Sequence, residues 1–129
     1  MAATDAMPAG FVDGVRCFNR GAFFEAHEAF EELLDTVDGE GDTRWDLLVA
    51  LVQVSVGYHK SVSGYVGAVR MLTLGLEKLA AFPEVVAGVA VESLRARIRD
   101  DLAAFDAGAD PAERIARTPP RLELRAPGR

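Results

Sequence analysis

A single cysteine, Cys17, rules out a disulfide within the chain and suits a reducing compartment, so a cytoplasmic protein is expected. Beside Phe18, that thiol reads as a small buried hydrophobe rather than a nucleophile. No apolar stretch is long enough to span a bilayer. The longest, Leu47 to Tyr58, is 12 residues and carries Gln53 and Ser55, against the roughly 20 that a membrane helix needs. Residues 1–10 lack a basic segment followed by an apolar run, so no signal peptide is expected. Positive charge is scarce: 14 basic residues face 20 acidic ones, for a net charge of −6. That balance argues against phosphate-backbone binding and against an anionic membrane surface, so neither nucleic acid nor membrane is expected as a partner. Lysine is the scarcest cation, with only Lys60 and Lys78 present. Few lysines, many acids and an interior rich in Ala, Gly and Val suit a halophile's high-salt cytoplasm. A genome rich in G and C produces the same bias.

The rest of the composition is that of a folded domain. Half of the 129 residues are apolar and no tract is of low complexity. Apolar periodicity predicts an all-α, single-domain bundle of about five helices, with a core over about 8–106 and a Pro/Arg-containing tail over 107–129. Helix 1 is predicted at 8–19, with Pro8 in its first turn and Gly21 as a left-handed cap. Helix 2 is predicted at 22–37, with Phe23, Ala26, Phe30, Leu33 and Leu34 in one stripe. The glycines and acids of 38–42 form a loop, and Asp42 or Thr43 caps helix 3, predicted at 44–61.

Helix 3 reads as the central element, with one apolar stripe of Trp45, Leu48, Val49, Val52, Val56 and His59 and another of Leu47, Leu51, Val54 and Tyr58. Between them lies a small or polar strip of Asp46, Ala50, Gln53, Gly57 and Lys60. Helix 4 is predicted at 64–81, burying Tyr65, Ala68, Val69, Leu72, Leu76 and Leu79. Helix 5 is predicted at 89–106, with Arg95, Arg99, Asp100 and Asp101 on a solvated face. Residues 111–117 hold at most one more helical turn, and Arg121–Leu124 suits an extended path.

Two segments share a pattern at an offset of 42 residues, from Gly21 to Ser63. Gly21, Phe23, Ala26 and Phe30 correspond to Ser63, Tyr65, Ala68 and Leu72. A small residue permits the turn, an aromatic packs back on the preceding helix, and an alanine lets two helices approach. The pattern resembles the second helix of tetratricopeptide repeats and predicts two stacked hairpins capped by helix 5.

The run Phe24-Glu25-Ala26-His27-Glu28, followed by Glu31-Glu32-Leu33 and preceded by Phe18-Asn19 and Gly21, resembles the small helical family catalogued as domain of unknown function 309. Tyr58-His59 at the end of a long apolar helix and Gly67-Ala68 at the next helix start extend the resemblance over roughly 11–82. The family often has a tryptophan where this chain has Leu34, and the 38–42 linker is the chain's own. The resemblance implies the helical fold and no activity.

The candidate site residues are His27, Glu28, Glu31, His59 and Phe24. His27-Glu28-x-x-Glu31 has the outline of a zinc-peptidase helix motif with a glutamate in place of the second histidine. His27 and Glu31, one turn apart, could share an ion, with His59 as the third ligand. Counted from the 38–42 loop, however, the two histidines lie about 9 Å out of level along the bundle. With no E-x-x-H pair, no Ser-His-Asp arrangement and no Gly-rich phosphate loop, no cofactor is expected. Arg95, Arg97 and Arg99 alternate with acids and read as a solvated face. Two functional readings stand. One is a protein- or ligand-binding module with a protein partner or a homo-oligomer, binding through a groove between helices 2 and 4. The other is a metal-dependent or acid–base, hydrolase-like enzyme using His27, Glu28, Glu31 and His59.

Overall fold

A computed structural model describes residues 6–125 of the chain. The frayed start expected over 1–7 lies outside these residues for 1–5, as does the tail beyond Arg125. Six helices form the bundle: α1 (Phe11–Asn19), α2 (Phe23–Leu33), α3 (Thr43–Ser63), α4 (Ala68–Leu79), α5 (Val91–Asp106) and α6 (Pro111–Arg117). Between α4 and α5 lies a β-hairpin of β1 (Val85–Val86) and β2 (Val89–Ala90). The all-α expectation holds, with the turn expected near 111–117 grown into a sixth helix. None of the described helices is long and apolar enough to cross a membrane.

Caps and turns set the helix bounds. Gly10, at φ +96°, makes a left-handed start that delays α1 to Phe11, three residues later than Pro8 alone suggests. Gly21, at φ +84°, ends α1 as expected. Its N–H donates to Phe18 O at 3.0 Å, and the N–H of Ala22 reaches back to Cys17 O at 2.9 Å. After α2 the chain tightens into a 3₁₀ turn, Leu34–Thr36, where the Thr36 hydroxyl donates to Leu33 O at 2.7 Å. Asp42 caps α3 by accepting from the backbone N–H of Arg44 at 2.9 Å. Gly64, at φ +70°, closes α3 with the same left-handed cap, Tyr65 N–H donating to Lys60 O at 2.9 Å.

Helix α3 packs against α2, α4 and α6, as befits the predicted central element. Its buried side differs from the expectation. Ala50, Val54 and Gly57 are buried against α4, whereas Trp45, Val49, Val52, Val56 and His59 are only half-buried. The reason is close approach. A Cβ on Gly57 would stand 2.7 Å from Leu72, and one on Gly75 would stand 2.6 Å from Val54 Cγ2. Small residues at the crossing bring the α3 and α4 backbones together, while Leu48 of the first expected stripe and all of the second (Leu47, Leu51, Val54, Tyr58) are buried as expected. The first hairpin uses the same device, because a Cβ on Gly14 would stand 2.5 Å from the Phe30 ring. The repeat is therefore offset by 42 residues in the second helices (Phe30 to Leu72) but by 43 in the first (Gly14 to Gly57, Gly21 to Gly64).

The second connection, from Gly64 to Leu72, is thus one residue shorter than the first, from Gly21 to Phe30, and its turn differs. Gly67 at φ +94° starts α4 at Ala68, so Tyr65 and Val69, expected in the buried face, are 59% and 51% exposed. The core gathers Phe18, Phe23 and Tyr58 edge to face or tilted, with ring centroids 5.1–6.0 Å apart.

Residues of the predicted tail complete the core. Ile115 of α6 and Leu122 are buried. Asn19 clamps Leu122 twice, donating to its carbonyl at 3.1 Å and accepting from its N–H at 2.7 Å. Leu124 then bridges Val89, and the N–H of Ala90 donates to Glu123 O at 2.9 Å, so the extended tail lies against β2 through an isolated antiparallel bridge.

Candidate functional site

The predicted site residues sit where α2 crosses the C-terminal half of α3. Phe24 is 45% exposed and lies between two imidazoles, with ring centroids 5.0 Å from His27 and 5.3 Å from His59. Tyr65, in the turn after α3, continues the row, 5.8 Å from His59 and edge-on to it. Helix geometry produces the row. His27 follows Phe24 by one turn on α2, and His59 is level with Phe24 rather than with His27. With His27 three residues beyond Phe24, the two imidazoles are out of level by about 4.5 Å, half the offset that counting from the loop suggests, and Phe24 contacts both.

The polar atoms are arranged simply. Nδ1 of His27 lies 2.7 Å from the Phe24 carbonyl, which can only accept, so the proton sits on Nδ1. In the neutral ring Nε2 then presents its lone pair, 3.8 Å from Glu31 Oε1. Protonation would turn that approach into an ion pair. Glu28 is exposed and takes no part in the row.

His27, Glu31 and His59 do not form the conditional metal trio, because the Phe24 ring separates the imidazoles. Among the described residues no group of three or more His, Cys, Asp or Glu could hold a metal ion. The clefts of the described surface include one of about 310 Å³ beside Arg44 and Val86 and one of about 440 Å³ between α1 and the tail. Neither reaches the histidines. His27 and Glu31 thus offer a lone pair and a carboxylate for hydrogen bonding beside the Phe24 ring.

Sequence reasoning missed two features. Tyr65 read as a buried repeat aromatic, and only the 43-residue offset of the caps betrays its exposure. Asp101 and Arg95 read as solvated, yet both are buried. Arg95 caps the end of α4, its Nη1 donating to the carbonyls of Leu79 and Phe82, both at 2.7 Å. Asp101 accepts from Tyr58, Arg97 and Arg114. Arg97, bound to that buried carboxylate, also donates to Thr118 O and so ties α5 to the segment after α6. This buried cluster ties three helices together and is structural.

Residues 11–72 match the model of the family described as Domain of unknown function (DUF309). The resemblance carried by the α2 motif is thus borne out from the start of α1 to Leu72, the residue seated on Gly57. No curated protein matches the chain.

Proposed function

We propose, from the premise that residues 11–72 carry a helical domain whose family description assigns it no activity, that this chain is a binding module. It takes a protein or peptide on the outer face of the α2–α3–α4 layer. The row His27–Phe24–His59–Tyr65 carries the proposal. Phe24 and Tyr65 are 45% and 59% exposed, and Val66 beside them is 92% exposed. Leaving a phenylalanine half out of the core forgoes roughly half of the ~1.5–3 kcal/mol its full burial yields. Contiguous apolar surface of this kind marks interaction sites. Aromatic rings with polar edges are the side chains that anchor interfaces, and His27, Glu31 and His59 add hydrogen-bonding groups at the rim.

The test is selection of displayed peptides against the wild-type protein and against a Phe24→Ser/Tyr65→Ser variant whose circular dichroism matches wild type. The proposal expects a peptide consensus with apolar residues at helical spacing, bound by wild type and lost in the variant. Equal recovery on both proteins, or no consensus at all, counts against this face.

A further inference from the structure

A backbone edge runs along the cleft of about 440 Å³ between α1 and the tail. Two bonds hold the tail against β2: Ala90 N–H donates to Glu123 O, and Arg125 N–H donates to Gly88 O. In extended chain the backbone groups of successive residues point to opposite sides. The N–H and C=O of Leu122 and Leu124 therefore point away from β2, toward α1. Both groups of Leu122 are taken by Asn19, whose side-chain amide donates to one and accepts from the other as an adjoining strand would. Two residues on, the N–H and C=O of Leu124 have no hydrogen-bond partner among the described residues. The charge around this edge is opposite to that of the chain. Arg16, Arg121 and Arg125 line the cleft against one lining acid, Glu123, whereas the chain carries −6. Arg121 is in no ion pair among the described residues. Arg16 approaches Asp13 at 3.5 Å and Arg125 approaches Glu123 at 3.4 Å, with all four side chains more than half exposed. Such contacts hold their partners weakly, which leaves the guanidiniums able to turn to a ligand. Val12 and Leu124 add apolar surface to the cleft, 47% and 45% exposed.

We infer that this cleft takes a short acidic peptide segment in extended conformation, paired edge to edge with the tail at Leu124. The site lies apart from the aromatic row and does not depend on it. The peptide's backbone accepts from Leu124 N–H and donates to Leu124 C=O, extending past Asn19 the edge that its amide occupies at Leu122. Side chains alternate along the tail, so Arg121, Glu123 and Arg125 share one face while Leu122 and Leu124 share the other. A paired peptide alternates in step. The residue opposite Leu124 lies on the apolar face, and its two neighbours lie on the face of the arginines. The fitting pattern is therefore an apolar residue flanked by two acids, whose carboxylates meet the guanidiniums in charge-assisted, bidentate hydrogen bonds. The cleft falls within the roughly 300–1,000 Å³ of ligand sites, which suits a few residues rather than a long strand. The chain's overall negative charge does not forbid an acidic ligand. At physiological ionic strength charges beyond about 8 Å are largely screened, so the arginines at the cleft outweigh the distant glutamates of α2. A free anion such as inorganic phosphate would meet the same arginines but leave Leu124 unpaired, whereas a peptide uses both features.

The experiment is fluorescence anisotropy of a labelled hexapeptide of alternating valine and glutamate, blocked at both ends, titrated with the full chain. Binding is expected up to sub-millimolar protein. Arg121→Glu and, independently, Arg16→Glu should each weaken it by about tenfold, the loss of one charge-assisted bond, with unchanged helical circular dichroism. The same peptide with lysine for glutamate should not bind. A peptide N-methylated at its two central residues keeps every charge but loses backbone donors, and it should bind about tenfold more weakly. Hydrogen exchange of the Leu124 amide should slow when the unmodified probe is bound. No binding overturns the inference, as does binding that both charge reversals leave intact. Equal affinity for the N-methylated peptide also overturns it and reduces the cleft to an anion site. The Phe24→Ser/Tyr65→Ser variant of the preceding test should bind this probe as wild type does. Loss of the probe in that variant alone would move the peptide to the aromatic row and overturn the site proposed for the cleft.

Discussion

The phenolic hydroxyl of Tyr58 donates to Oδ2 of Asp101 at 2.5 Å, and solvent reaches neither side chain. The same carboxylate accepts from Arg97 Nε at 2.9 Å and from Arg114 Nε at 2.7 Å. One acid therefore holds α3, α5 and α6 together, 43 positions along the chain from the tyrosine.

Removing that acceptor should be the most damaging single polar change in the protein. Asp101→Ala leaves two arginines and a phenol facing a site without charge, and a stability loss of about 3–5 kcal/mol is expected. Tyr58→Phe removes one hydrogen bond to a charged group and should lose about 1.5–3 kcal/mol. Urea denaturation measures both. A loss under about 0.5 kcal/mol for Asp101→Ala, the size of an ordinary surface change, would refute the network.

Burial, then the negative charge of Asp101, push the Tyr58 phenol well above its usual range. Because the folded value is raised, the stability it confers is fully present below the unfolded value of about 10 and declines as the pH rises above it. In a Tyr65→Phe background Tyr58 is the only tyrosine. Tyrosinate absorbance should then appear only together with loss of the helical signal. Ionisation in the intact fold would contradict the buried geometry.

Acid should act through different groups. Hydrogen bonds from Arg95 and then Arg99 hold the Glu92 carboxyl below its ordinary value, and those of the Arg44 side chain and N–H do the same for Asp42. With depressed folded values, both groups stabilise the fold above the usual carboxylate range and lose that contribution as pH falls through their lowered values. NMR titration should find the Glu92 midpoint below that of an unperturbed glutamate, about 4.3. A midpoint at or above it means the Arg95 and Arg99 contacts do not form in solution.

Gly57 should resist even one added methyl. Alanine is normally the better helix residue by about 1 kcal/mol. Here the new carbon would stand 2.7 Å from Leu72 and 3.0 Å from its backbone nitrogen. Overpacking of roughly 1–3 kcal/mol should outweigh the propensity gain, lowering the melting temperature. A more stable Gly57→Ala protein would mean that α3 and α4 are farther apart than described.

The β1–β2 turn offers the opposite case. Ala87 and Gly88 both have positive φ, +51° and +83°, the conformation of a two-residue hairpin that favours Asn-Gly. Ala87→Asn relieves a strained alanine and should stabilise the fold by about 0.5–1 kcal/mol. A loss of stability on calorimetry would contradict the turn.

Much of the fold was legible because it follows from local rules. The Gly21 cap, the Asp42 N-cap, the stripe Phe23–Ala26–Phe30–Leu33 and the central place of α3 all come from helical period and capping chemistry within a few residues. The hairpin Val85–Ala90 has a local signal too, valines around a turn ending in glycine, but it is too short for helical periodicity to register. At the site, counting residues suggests that His27 and His59 are out of level, but by about twice the ~4.5 Å that the row implies. The ring that fills the offset, and the exposure of Tyr65 beside it, did not follow from counting.

The sequence by itself determined an all-helical chain, its main caps and the composition of its core, because propensity, period and capping act between neighbours. Only the tertiary structure decided which of α3's faces is buried. Gly57 and Gly75 let two backbones close on the small strip, and that contact turned Val49, Val56 and His59 outward. It also decided that Asp101 is buried, since a charge can leave water only where partners distant in sequence converge on it. Both outcomes depend on long-range contacts, which a helical wheel drawn for one element does not contain.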